Sequence, residues 1–244
     1  MKRVFLILTA CFLLAGTANA ATIAYTSFED PSVPGGQYTD PVTSSHVLAN
    51  NAGEPVVTFT PTGSELGFVS SYTDTRGDVG LSDGDYVGVT NYTGTVGAYT
   101  DGTQGFQIAD PDGKMETLLD SVSLAGYTTA SVSMDIFIQS TGYESTDAIH
   151  AFVIVDGIQT DLLNTSGQDI DDLGIEDAWI TLTLDLTGAS AAQLGFSLDS
   201  NSASEAIFVD NIIFEGTSAV PAPGAFILLG SGLAALSLMR RKNR

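Results

Sequence analysis

Thiol chemistry is nearly absent from this sequence: its one cysteine, Cys11, lies in the first apolar stretch and has no second cysteine to pair with. Disulfides therefore cannot support the fold, and loss of residues 1–20 would exclude thiol catalysis as well. Histidine is almost as scarce. His46 and His150 alone are too few for a usual zinc site without thiolates. Of eight basic residues, six sit at the two ends: Lys2, Arg3, Arg240, Arg241, Lys242 and Arg244. Between Glu29 and Glu215 all 29 acidic residues face only Arg76 and Lys114, a net charge of −27. Such a stretch repels phosphate backbones and excludes nucleic acid as a partner. It suits surroundings rich in salt or divalent cations, which screen self-repulsion. No Gly-x-Ser-x-Gly elbow marks a serine nucleophile, and no glycine-rich loop precedes a helix to hold phosphate. With so many acids, paired carboxylates for glycoside hydrolysis carry no signal.

What is present includes an address at each end. The start, "MKRVFLILTACFLLAGTANA", has a basic beginning, an apolar run and the small-x-small ending Ala18-Asn19-Ala20. This pattern predicts a secretory signal peptide over 1–20, cut after Ala20. Leu8 to Cys11 also fits a short lipoprotein consensus, but cutting there leaves Phe12, Leu13 and Leu14 as a poor linker. At the other end, Gly224 to Met239 carries no charge and only Ser231 and Ser237 as polar side chains. As a helix it spans roughly 24 Å, and residues 220–223 extend it to a full crossing of about 30 Å. The spacing predicts a single C-terminal transmembrane helix at 224–239 with a basic cytoplasmic tail at 240–244. Arg240, Arg241, Lys242 and Arg244 set that orientation. The acidic middle then lies outside the cytoplasmic membrane.

Val220-Pro221-Ala222-Pro223, the small-residue apolar helix and the Arg/Lys cluster together resemble a PEP-CTERM sorting segment, also labelled the ice-binding protein C-terminal motif. The usual motif is Pro-Glu-Pro; Ala222 stands at its centre here. The resemblance implies recognition by an exosortase-type enzyme, cleavage near the motif and delivery to the cell surface or extracellular matrix. It covers about 25 residues and implies a destination only. An ordinary tail anchor is the alternative, and the two differ in whether the helix persists.

The middle, 21–216, reads as short strands between turns, followed by a linker at 217–223. In "ASVSMDIFI" Val132, Met134, Ile136 and Ile138 alternate with polar residues. Ile180, Leu182, Leu184 and Leu186 do the same in "WITLTLDLT". "AFVIVDG" and "AIFVDNIIF" are apolar on both faces, like central strands. Turn pairs such as Asp83-Gly84, Asp101-Gly102 and Asp156-Gly157 punctuate the runs. No long 3.6-residue periodicity and no tandem repeat appears. About ten short strands predict an all-β fold, a jelly-roll β-sandwich.

The opening "YTSFED" and the closing "IFVDNIIFEG" resemble the first and last strands of secreted jelly-roll modules of the carbohydrate-binding type. That resemblance implies a structural calcium ion held by Glu29 and Asp210. Asp210 has a separate argument. It shares strand parity with Phe208, Ile212 and Phe214, so its carboxylate is expected on an apolar face, where a hard cation would relieve its charge. The alternative is a carboxylate that accepts backbone hydrogen bonds at the sandwich rim. Two acidic loops, Asp74/Asp78/Asp83/Asp85 and Asp169/Asp171/Asp172/Glu176/Asp177, fit no EF-hand spacing. Trp179 falls on the Thr181/Thr183 side of its strand, as a ligand-stacking ring or as a lid on the sandwich edge. Tyr72, Tyr86, Tyr92, Tyr99 and Tyr143 lie in or beside loops as further platforms. The expectation is a non-enzymatic exported protein that binds extracellular polysaccharide. A secreted hydrolase and a passive structural component are the alternatives.

Overall fold

The computed structural model describes residues 20–218, apart from 32, 34, 35, 78 and 79. The expected signal peptide up to residue 19, the Val220–Pro223 motif, the expected helix at 224–239 and the basic tail lie outside the described residues. Among the described residues, no helix is long and apolar enough to cross a membrane.

The strands begin with β1 (Ala21–Thr26), β2 (His46–Val47), β3 (Thr58–Phe59), β4 (Phe68–Thr73), β5 (Tyr86–Thr90), β6 (Gly105–Ala109) and β7 (Gly113–Leu119). They continue with β8 (Val122–Ser123), β9 (Tyr127–Ile138), β10 (Ala148–Val155), β11 (Ile158–Asn164), β12 (Trp179–Asp185), β13 (Ala191–Ser200) and β14 (Ala206–Ser218). One sheet runs β12-β9-β14-β6-β5, with β1 also on β14. The other runs β11-β10-β13-β7-β4-β2, with β3 on β4 and β8 on β13. All the strand pairs among the described residues are antiparallel, and these residues form an all-β sandwich.

The expected alternation sets the core. Val132, Met134, Ile136 and Ile138 are buried between the sheets, and Ile180, Leu182 and Leu184 pack against them from the edge strand β12. Phe106 gathers an aromatic cluster at the centre, edge-to-face with Phe68 and Phe196, each at 5.4 Å, and tilted against Phe28 at 5.5 Å. The β10–β11 hairpin closes through Asp156 and Gly157, both at positive φ, as a two-residue turn with right-handed strand twist requires. The acidic stretch 169–177 forms one 3-10 turn, Asp171–Leu173.

One expectation about faces is corrected. A bulge on β14 puts two residues, Asn211 and Ile212, opposite Met134 alone, with Asn211 at φ 51°. Counting by twos through Asn211 therefore fails. Phe208 lies in a second apolar cluster on the outer side of its sheet, whereas Ile212 and Phe214 turn into the main core. Asp210 stands before the bulge, directly opposite Asp135, and keeps the outward parity of Phe208.

Candidate functional site

The bulge marks a seam. Before it β14 pairs with β6, and after it with β1, so β1 ends and β6 begins at the same gap in the sheet. Chain turning away from strand ends leaves amide N–H groups without ladder partners. Three carboxylates accept them. Asp210 Oδ2 accepts from the Thr100 and Asp101 amides, both at 2.8 Å, and from the Thr100 hydroxyl at 3.1 Å. Its Oδ1 accepts from the Asn211 amide at 2.7 Å. Glu29 Oε1 accepts from the Thr103 and Gln104 amides. Glu65 accepts from the Ser27, Glu29 and Asp30 amides, and from the Ser27 and Thr26 hydroxyls. Asn211 also donates its side-chain N–H to Asp135 at 2.9 Å, which separates two like charges across the ladder.

Glu29 and Asp210 thus grip the same loop, 100–104. The donors aimed at them suit an anion, and Asp210 Oδ2 already accepts three bonds. These bonds form the rim arrangement set out above as the alternative to a structural calcium ion, with Asp210 Oδ1 and Glu29 Oε2 each accepting a single bond. Asp210 is fully buried. Burial pushes its carboxyl up to about 6, while the surrounding hydrogen bonds pull it down.

The loop held at this seam covers part of the outer face of the first sheet. Val96, Tyr99, Ala109, Phe137, Ala206 and Phe208 form the second apolar cluster beneath it. Trp179 lies outward, as its parity predicts, but the face there is covered. Its ring meets Phe137 at 5.7 Å and Tyr99 at 6.2 Å, and its indole N–H donates to the Ala98 carbonyl at 3.0 Å. In this position it acts as a lid that holds the loop.

Beside that cluster, over β5 and β6, opens a groove of about 560 Å³. None of its fifteen lining residues is charged, and Trp179 is not among them. Gln37, Asn91 and Gln139 contribute amides, and the phenol rings of Tyr86 and Tyr92 are 48% and 52% exposed. Tyr92 is an exposed ring on a fixed backbone. Its N–H donates to Thr90 Oγ1 at 3.1 Å and its carbonyl accepts from the Tyr99 hydroxyl at 2.9 Å. Gly94 leaves room for the ring, since a Cβ there would collide with the Tyr92 hydroxyl. One wall is the segment at Pro55, locked to the edge strand by the Val89 amide donating to Val56.

The remaining candidates separate. Tyr72, Tyr99 and Tyr143 are buried rather than displayed. Each histidine meets a carboxylate: His46 Nε2 lies 2.7 Å from Asp40 and His150 Nε2 lies 2.8 Å from Asp161. His150 stands inside β10. The 169–177 acids accept amides of the neighbouring loop: Asp177 from Ser140, Glu176 from Thr141 and Asp171 from Tyr143. In the other acidic loop Asp74 caps the Gly77 amide, Asp85 is buried, and Asp78 lies outside the described residues.

No family model matches this chain, and no curated protein does. Solved structures with partial likeness include the enzymatically active domain of tailspike protein 4 from Bacteriophage CBA120, at 14% identity and TM-score 0.36 over 60% of this chain and 19% of that one. Another is the N-terminal module pair of a Clostridium thermocellum endo-1,4-β-D-xylanase complexed with xylohexaose, at 14% identity and TM-score 0.32 over 55% and 25%. The family 30 carbohydrate-binding module of a Clostridium thermocellum cellulosomal cellulase gives 17% and 0.33 over 68% and 94%. The chain spans about a fifth and a quarter of the first two. At these values the likenesses carry no argument about ligand, and the sandwich assignment rests on the strand order itself.

Proposed function

We propose that this protein is an exported, non-catalytic module that binds an uncharged extracellular polysaccharide in the groove over β5 and β6. The observation that carries this reading is the lining: fifteen residues without a charge, in a chain with 29 acids. Sugars offer apolar C–H faces that stack on aromatic rings, and hydroxyls that both donate and accept. Tyr86 and Tyr92 supply the rings, and side-chain amides supply donors and acceptors together. A polyanion would meet the surrounding carboxylates, whereas a neutral chain avoids that repulsion. Among the described lining residues the polar groups are amides, hydroxyls and phenols, which suit binding.

Delivery follows from the two ends. Residues 1–20 direct export, and the tail beginning at Val220 holds the protein in the cytoplasmic membrane until an exosortase-type enzyme passes it to the cell surface or matrix. Mass spectrometry of surface-extracted protein should find a C-terminus near Pro221–Pro223; an intact Arg244 terminus would leave a plain anchor.

The binding reading is tested by electrophoresis through gels containing soluble glucan, xylan or galactomannan. Retardation by at least one is expected, weakened about tenfold or more in Tyr92→Ala and further in the double variant with Tyr86→Ala. Retardation unchanged by both substitutions would remove the groove as the site. No retardation by any polymer would favour a passive structural role.

A further inference from the structure

Tyr86, Ala109 and Ala206 stand in one row across β5, β6 and β14. One residue further along, Asp85, Asp110 and Glu205 crowd that pole of the sandwich, and the Asp110 amide donates to the Glu205 carbonyl at 3.3 Å. From the β9–β10 loop, Glu144 and Asp147 approach Glu205, although more than 50 residues separate them in the chain. One carboxylate oxygen of each of the three lies within 4.8 Å of the other two. Asp147 and Glu205 are 0% and 1% exposed, and Glu144 opens to solvent.

Asp147 is met on both oxygens, by Arg76 and by the Glu144 amide, but the three carboxylates share only that one cation. Arg76 Nη2 lies 2.8 Å from Asp147 Oδ1, but its Nε is committed to Asp199 at 2.9 Å. Lys114 pairs with Glu116 at 2.6 Å. These are the only lysine or arginine residues between Arg3 and Arg240, so the domain has no other such base to offer. Glu205 Oε2 accepts one long bond, 3.4 Å from the Asn201 amide. Its Oε1 is buried without a hydrogen-bond partner. A carboxylate oxygen withdrawn from water and given no donor is strongly disfavoured unless a proton or a cation meets it.

We propose that Glu144, Asp147 and Glu205 bind a hard divalent cation, Ca²⁺ by size, with water completing the shell on the open Glu144 side. Oxygens around Ca²⁺ lie about 2.3–2.6 Å from the ion and so at most about 5 Å from one another, which matches this cluster. Mg²⁺ demands a smaller and stricter octahedron, and the all-oxygen donor set does not favour softer metals. The ion would tie the β9–β10 loop to the turn that precedes β14.

The test uses the full-length chain, stripped with EDTA and exchanged into chelator-free buffer. Calorimetric titration with CaCl₂ should show one ion per chain, and thermal unfolding should shift upward by about 4 °C or more, with a smaller shift from MgCl₂. Glu144→Gln, at an exposed position, should fold normally and lose most of the Ca²⁺ shift. Glu205→Gln should unfold at a higher temperature than the wild type without metal and fail to respond to Ca²⁺. Glu29→Gln should keep the shift. No Ca²⁺ response in the wild type would overturn the proposal. So would a response that survives both Glu144→Gln and Glu205→Gln, or one abolished only by Glu29→Gln.

Discussion

Two groups of carboxylates occupy different parts of this sandwich, and the surroundings of their buried members are opposite. At the seam between β1 and β6, Asp210, Glu29 and Glu65 accept eight backbone amides between them. At the pole, Asp85 Oδ2 and Glu205 Oε1 are buried and accept nothing. Burial and the charges of Asp83, Asp110 and Asp112 push the Asp85 carboxyl up to about 8, well beyond the value near 6 at Asp210. A buried acid is therefore no signature of a metal site by itself. Where strand ends leave amides free, the acid completes the fold. Where no donor arrives, the acid remains open to a proton or a cation.

The largest expected effect breaks the seam. Asp210→Ala strands the Thr100, Asp101 and Asn211 amides, each left unsatisfied at about 1–3 kcal/mol, so a loss of about 4 kcal/mol is expected in urea unfolding. A loss below about 1 kcal/mol would mean the loop finds other acceptors. Next comes the lid that shares the loop. Trp179→Ala should lower stability by about 2 kcal/mol and weaken polysaccharide binding indirectly, since the ring packs under the loop without lining the groove. If Trp179→Ala abolished binding without any loss of stability, the ring would be a ligand platform after all.

A smaller change sharpens the pole. With a folded value near 8 against 3.8 unfolded, Asp85 keeps a proton in the native state that the unfolded chain releases. Stability should therefore fall as pH rises from about 4 to about 8. Asp85→Asn should flatten that decline, gaining about 1 kcal/mol or more at pH 8 and nothing below pH 4. An unchanged pH profile in this variant would show that Asp85 finds a donor in solution.

Much of the fold was legible because alternation is a local property. The inward sets Val132–Ile138 and Ile180–Leu184, the Asp156-Gly157 turn and the outward parity of Trp179 all follow from neighbours in sequence. The same counting failed through Asn211, where one extra residue reverses the face and nothing in "VDNIIF" announces it. The tyrosines could be named as platforms but not sorted. Tyr86 and Tyr92 are displayed while Tyr72, Tyr99 and Tyr143 are buried, and only the crossing of distant segments decides between them. Glu144, Asp147 and Glu205 carry no local sequence pattern for a related reason. Among 29 acids, proximity across two loops has no local pattern, and the one clue was how few bases remain to meet them.

The central claim is that an uncharged groove in an intensely acidic protein takes an uncharged polymer. Its most direct test is retardation of the wild-type chain in neutral and anionic polysaccharide gels at about 50 mM and about 500 mM NaCl. An electrostatic contact weakens steeply over that range, whereas ring stacking and hydrogen bonding to amides do not. Retention by a neutral polymer, equal at both salt concentrations and lost in the Tyr86→Ala/Tyr92→Ala variant, is the expected result. Retention only by anionic polymers such as alginate, or retention that disappears at high salt, would contradict it.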